Sequence, residues 1–188
     1  MLVPLYGKVT YNNRHSALQL GTKFGQHGKS ARQAGWVTRG LTKTNLSRQM
    51  NIRIKYSRHA NNRICAALVG VSLEIGYKQF HVYIARKLKP GTCEYRTTLN
   101  HENTHVRFYQ TGLKNYVARL ERKLRRTADR LTPIVATSPA RAQRHFLSQL
   151  DQALASTLAQ MNRDMDRNNS KIDTIANYKR EQAYCPSR

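Results

Sequence analysis

Acidic residues are scarce in this sequence: ten aspartates and glutamates stand against 33 lysines and arginines in 188 residues, a formal net charge of +23. Such a field holds the chain against nucleic acid, an anionic membrane surface or an acidic partner, and it carries no sequence specificity. No run of 18 apolar residues occurs, so no transmembrane helix is expected. Tyr11, Asn12, Asn13 and Arg14 fall where a signal peptide would need its apolar stretch, and no export signal is read there. Cys65, Cys93 and Cys185 are the only cysteines, and none forms a CxxC pair. That spacing supports neither a structural zinc finger nor a thioredoxin-like site, and leaves room for one disulfide and one free thiol. Internal repeats and low-complexity blocks are also missing. With 39% hydrophobic residues, the length suits one domain with a modest core and a generous polar surface.

What is present is the run Leu99-Asn100-His101-Glu102-Asn103-Thr104-His105-Val106, which reads HExxH. On a helix, residues four apart share a face about 6 Å apart, so His101 and His105 can close on one metal ion as imidazole ligands. Glu102 then lies beside the metal without binding it. A zinc ion held by two histidines and one further ligand keeps a position for water, whose pKa falls to about 7. Glu102 is placed to take that proton.

Along the chain, residues 1–35 combine scattered basic residues with Gly21, Gly25, Gly28 and Gly35 and show no sustained period, as a basic, partly irregular arm would. The folded domain is expected over 36–188, opening near Trp36. Ile52, Ile54 and Tyr56 alternate with Arg53 and Lys55 as in a half-buried strand, and Arg58 to Arg63 reads as a turn. Val69 to Tyr77 alternates again, and Phe80 to Ala85 follows across a short polar link, which suggests a hairpin. Cys65 and Cys93 flank that hairpin and are expected to form the disulfide in an exported protein, leaving Cys185 free. Lys89-Pro90-Gly91-Thr92 is a turn. From about Thr97 to Leu131 the period becomes 3.6, with Gly112 a place where the helix can bend without ending. Arg119, Arg122, Lys123, Arg126 and Arg130 form a basic stripe away from the apolar one. Prolines 133 and 139 supply a break, and Leu147, Leu150, Leu154, Leu158, Met161 and Met165 mark a second amphipathic helix. The predicted fold class is therefore α+β: a small N-terminal antiparallel sheet or hairpin packed on a C-terminal pair of long antiparallel helices.

Antiparallel packing about a midpoint near residue 135 sets His101 and His105 opposite roughly residues 165 to 169. Glu121, Asp129, Asp151 and His145 then lie beyond reach. Asp164, Asp166 and Asp173 remain as third ligands, with Tyr178 and Glu181 a little further along. Each aspartate has an ordinary alternative as a helix cap or an arginine partner.

The run from Val82-Tyr83-Ile84-Ala85-Arg86 through Lys89-Pro90-Gly91-Thr92-Cys93 to His101-Glu102-Asn103-Thr104-His105-Val106, with Cys65 ahead and Ile172-Asp173-Thr174, Tyr178 and Cys185 behind, resembles a group of bacterial predicted secreted zinc-dependent proteases, mostly described as a domain of unknown function. The resemblance spans residues 36–185. It implies a zincin-like fold, one zinc ion and peptide hydrolysis outside the cytoplasm. It favours Asp173 as the third ligand and suggests a role for Tyr178, such as steadying an oxyanion. The expected activity is a zinc metallopeptidase with Glu102 as general base, acting on a peptide or protein substrate that pairs with the strand near Tyr83. The alternative is a basic protein that binds nucleic acid or an anionic surface and carries a non-catalytic metal site.

Overall fold

The computed structural model describes residues 1–23 and 37–185. Its elements run β1 (Leu2–Asn12), α1 (Ala17–Lys23), β2 (Gly40–Arg58), β3 (Ile64–Ile84), α2 (Cys93–Arg130), β4 (Ile134–Ala136), α3 (Pro139–Ile172) and α4 (Ile175–Gln182). The class is α+β, with a four-stranded sheet in the order β1-β3-β2 and β4 added to β3. The sheet is mixed. The Met1 ammonium donates to Val71 O and Thr10 Oγ1 to Phe80 O, the same offset of 70 residues at both ends, so β1 runs parallel to β3. Arg39 O accepts from Ala85 N and Thr44 Oγ1 donates to Gln79 O, numbers that move in opposite senses, so β2 is antiparallel to it. β4 is antiparallel too, Cys65 standing opposite Val135.

Each helix begins where the sequence supplies a cap. Thr92 Oγ1 accepts from Tyr95 N at the start of α2, and Ser138 Oγ accepts from Arg141 N ahead of Pro139, whose missing N–H leaves nothing unsatisfied in the first turn of α3. Thr174 Oγ1 accepts from Asn177 N at the start of α4. Ser16 and Gln19 cap α1 reciprocally, each side chain accepting from the other's backbone N–H. Among the described residues no helix is long and apolar enough to cross a membrane.

Two compact units are formed. The first takes Met1–Leu5, Leu46–Gly76 and Leu113–Asn162. Its apolar interior holds Leu113, Leu120 and Leu124 of α2, Phe146, Leu150 and Leu154 of α3, and Leu73 and Ile75 of β3. Ala66, Ala136, Ala142 and Phe146 make one of its clusters, closed by Ile52, Ile54 and Ile134. The second takes Tyr6–Asn45, Tyr77–Gly112 and Arg163–Arg188. Here Tyr77, Phe80 and Tyr109 pack ring to ring with centroids 5.2 to 6.2 Å apart, and the Tyr77 hydroxyl donates to Met165 Sδ at 2.9 Å. Burial pushes the Tyr77 phenol above its ordinary pKa. Met165 also lies over Gly112, where a Cβ would come within 2.9 Å of it. Gly112 thus marks a close approach, and α2 passes through it without ending.

Several expectations are corrected. Residues 2–12 of the expected arm form β1, and 17–23 form α1. Pro4 and Gly7 interrupt the run of Val3, Leu5 and Val9 and hide the strand locally, but pairing with β3 satisfies its backbone. Residues 24–35 of that arm, and Trp36, lie outside the described residues. The hairpin expected between Tyr77 and Phe80 is absent, because β3 continues from Ile64 to Ile84. Lys78 and Gln79 are exposed and shift the buried alternation by one residue, as a bulge does, and neither is the glycine, asparagine or aspartate a two-residue turn needs. The hairpin is instead β2 with β3, closed where Asn61 and Asn62 both take positive φ and His59 N donates to Arg63 O. Without the expected hairpin its disulfide also fails: Cys93 bonds Cys185, with Cα atoms 5.6 Å apart, and Cys65 is the free cysteine, held in the β3–β4 ladder. Nor is the strand near Tyr83 open to a substrate. β3 lies between β1 and β2, Ala85 N donates to Arg39 O, and the Asn13 side chain donates to Ile84 O and Ala85 O.

Candidate metal centre

Helical spacing brings His101 and His105 onto one buried face of α2, 4% and 7% exposed, and Glu102 beside them is 4% exposed. Their Nε2 atoms lie 3.1 Å apart. At the end of α3 the chain bends, and Asp173 Oδ1 comes to 3.3 Å from His101 Nε2 and 3.1 Å from His105 Nε2. Among the described residues these three form a group whose donor atoms could hold one metal ion. Asp164 is absent from it and pairs with Arg167 at 3.8 Å, while Asp166 is exposed.

The other ring nitrogens decide what the group can hold. His105 Nδ1 lies 2.6 Å from Asn169 Oδ1, and Asn169 Nδ2 is committed to Met165 O, so the Asn169 oxygen accepts and Nδ1 carries the hydrogen. His101 Nδ1 donates in the same way to Glu181 Oε2 at 3.0 Å. With both Nδ1 atoms protonated, the two neutral rings turn lone pairs toward each other and toward a carboxylate oxygen. Three electron-rich atoms 3.1 to 3.3 Å apart repel unless a cation sits among them. Protonating both Nε2 atoms would bring two N–H groups head to head. Ligands bound at 2.0 to 2.1 Å and a tetrahedral angle lie about 3.3 Å apart, so the donor spacing and chemistry fit a zinc ion. Absent such an ion, the site's charge appears as proton affinity. Burial works against charge on His105, yet the Asp173 carboxylate outweighs it and lifts His105 to about 9, and His101 rises for the same reasons. Asp173 is buried enough to resist ionising, but both imidazoles and Tyr178 hold it well below the usual carboxylate range.

A second ring of contacts holds the donors in place. Tyr178 donates to Asp173 Oδ1 at 2.8 Å and sets its ring over His101, centroids 4.7 Å apart. Its hydroxyl is therefore bonded to the candidate ligand carboxylate. Asn177, itself buried, donates to Glu181 Oε1 at 2.7 Å and accepts from Arg180. The Cys93–Cys185 bond ties the chain after α4 to the start of α2. On the β2 side, Thr42 Oγ1 lies 2.8 Å from Glu102 Oε2 and 3.0 Å from Glu102 O. Gly40 passes so close that any Cβ there would collide with the Glu102 side chain. Burial raises the Glu102 carboxyl above its ordinary pKa, against the opposing pull of both imidazoles and Thr42.

His101, Glu102, His105, Asp173 and Tyr178 are all brought together, and Glu181 joins them at the outer nitrogen of His101 rather than among the converging donors. Asn169, Asn177 and Thr42 were not legible as site residues. Asn169 stands four residues before Asp173, a helical spacing matching His101 and His105, which is the one signal that could have found it. No family model, curated protein or solved structure matches the chain.

Proposed function

We propose that the chain is a zinc-dependent peptidase of the HExxH type, with His101, His105 and Asp173 as ligands and Glu102 as general base. The observation that carries this is Asp173 Oδ1 within 3.3 Å of both inward imidazole nitrogens. Zinc bound there supplies Lewis acidity, polarising a carbonyl and lowering the pKa of a coordinated water to about 7. Glu102 accepts the proton of the attacking water and returns it to the leaving amine. Its burial suits that task, since a carboxylate lifted in pKa holds a proton more readily near neutral pH. Thr42 orients the Glu102 carboxylate, Glu181 and Asn169 keep both imidazoles in the tautomer that ligates, and Tyr178 steadies Asp173. The substrate-pairing role first read for the strand near Tyr83 passes to β2, an edge strand whose Gly40 to Thr44 segment adjoins Glu102.

A zincin-like arrangement, with α2 and α3 as an antiparallel pair, belongs to the same reading. His105 meets Asn169 and Gly112 meets Met165, so the α3 number falls as the α2 number rises. The Cys93–Cys185 disulfide suits an oxidising compartment, as the family resemblance implies. Two imidazoles and a carboxylate also suit iron(II), so the metal is tested by elemental analysis of purified protein. The expected result is one zinc per chain, lost in His101→Ala and His105→Ala. Glu102→Gln is expected to keep the zinc while hydrolysis of a fluorescent casein falls by about 10² to 10⁴. Protein without stoichiometric metal, or undiminished hydrolysis by Glu102→Gln, would overturn the reading.

A further inference from the structure

We infer that the exposed face of α2 between Arg119 and Arg130 binds the phosphate backbone of a nucleic-acid duplex. Arg119, Arg122, Lys123, Arg126, Thr127 and Arg130 line a shallow recess of about 400 Å³. Their spacing of three and four residues puts five cations on one side of a single helix. Like charges at that spacing repel, and among the described residues none of the five meets a carboxylate within ion-pair distance. Glu121 and Asp129, the carboxylates of the same stretch, line a different recess with Leu68, Val69 and Arg125. Charge is thus sorted by side of the helix, and the cationic side lacks an anion.

Three features select the occupant. From Arg119 to Arg130 the stripe extends about 16 Å at 1.5 Å per residue, close to five base pairs of duplex at 3.4 Å each. Four of the five cations are arginines, whose planar fork matches phosphate oxygens two at a time. The lining holds no apolar side chain, whereas helices that lie on bilayers insert one. It holds no aromatic ring either, whereas single strands are gripped by stacking their bases. The nearby Tyr116 ring is covered by Arg119, 5.4 Å from its centroid. The stripe is expected to engage phosphates rather than base edges, so binding is sequence-independent.

The test is fluorescence anisotropy of the full chain with a labelled 20-base-pair duplex of mixed sequence, titrated between 50 and 200 mM KCl. Five phosphate contacts give a slope of log K on log salt of about −4.5, an affinity loss of about 500-fold over that range. Arg122→Gln with Arg126→Gln removes two contacts, so the slope falls to about −2.7 and the loss to about 40-fold. Arg86→Gln with Lys87→Gln removes the same charge from an exposed turn and is expected to leave the slope unchanged. Thermal melts report folding, and Arg119→Gln with Arg130→Gln serves as the second pair should the first disturb it. Equal effects from the turn and stripe variants would overturn the inference, as would equal or tighter binding of a single strand. Binding to phosphatidylserine vesicles but not to the duplex would overturn it too. None of these readouts depends on metal or hydrolysis.

Discussion

The two halves of α2 bury side chains of opposite character on one continuous helix. In its last turns Leu113, Leu120 and Leu124 face the interior of the first unit, and in its first turns His101, Glu102 and His105 face that of the second. A leucine gains on burial whatever surrounds it, about 1.5 to 3 kcal/mol for a full side chain. A buried imidazole or carboxylate opposes folding unless each polar atom meets a partner. Among the described residues no buried side-chain nitrogen or oxygen lacks one. The apolar half needs only neighbours of suitable volume, while the polar half needs Thr42, Asn169, Asp173, Tyr178 and Glu181, drawn from far along the chain. The covalent tie lies in the polar half, where Cys185 closes the segment carrying three of these partners.

Cutting that tie is expected to have the largest effect. The Cys93–Cys185 bond joins residues 92 apart in sequence, and a loop of that length corresponds to about 4 to 5 kcal/mol of unfolded-state entropy. Denaturant unfolding of Cys185→Ser is expected to show most of that loss, and an unmoved midpoint would mean the polar half holds without its tie. Next is Leu120→Ala, which opens a cavity in the apolar half and is expected to lower stability by about 3 kcal/mol while zinc content stays at the wild-type value. Zinc lost along with stability would show the two halves to be one energetic unit. The smallest effect belongs to Tyr178→Phe, which keeps the ring on His101 and removes only the donor to Asp173. Competition with a chromophoric chelator is expected to show zinc affinity weakened about tenfold, within the range for outer partners of a ligand, with little change in stability. Unchanged affinity would remove Tyr178 from the proposed metal centre.

The contrast between the halves also explains what could be read before folding. The apolar half announces itself through period, because each leucine needs only to recur on one face. In the polar half the two histidines and Glu102 were legible because their relation is local, one helical turn. Asp173 was harder. A midpoint at 135 sets residue 165 opposite His105, whereas Asn169 is what His105 meets, one turn further on. The short strand Ile134–Ala136 and the cap at Ser138 occupy the connection and displace that midpoint.

By itself the sequence determined the two long helices, the turn at Arg58–Arg63 and the HExxH face, since periodicity, turn chemistry and i, i+4 geometry act over a few residues. Only the tertiary structure decided that Leu2–Asn12 is a strand, that Cys185 rather than Cys65 bonds Cys93, and that β3 is enclosed while β2 forms an edge. Each of these depends on which distant segment supplies a missing backbone or side-chain partner. Local pattern records that a polar group needs such a partner, and the packed chain settles which one it meets.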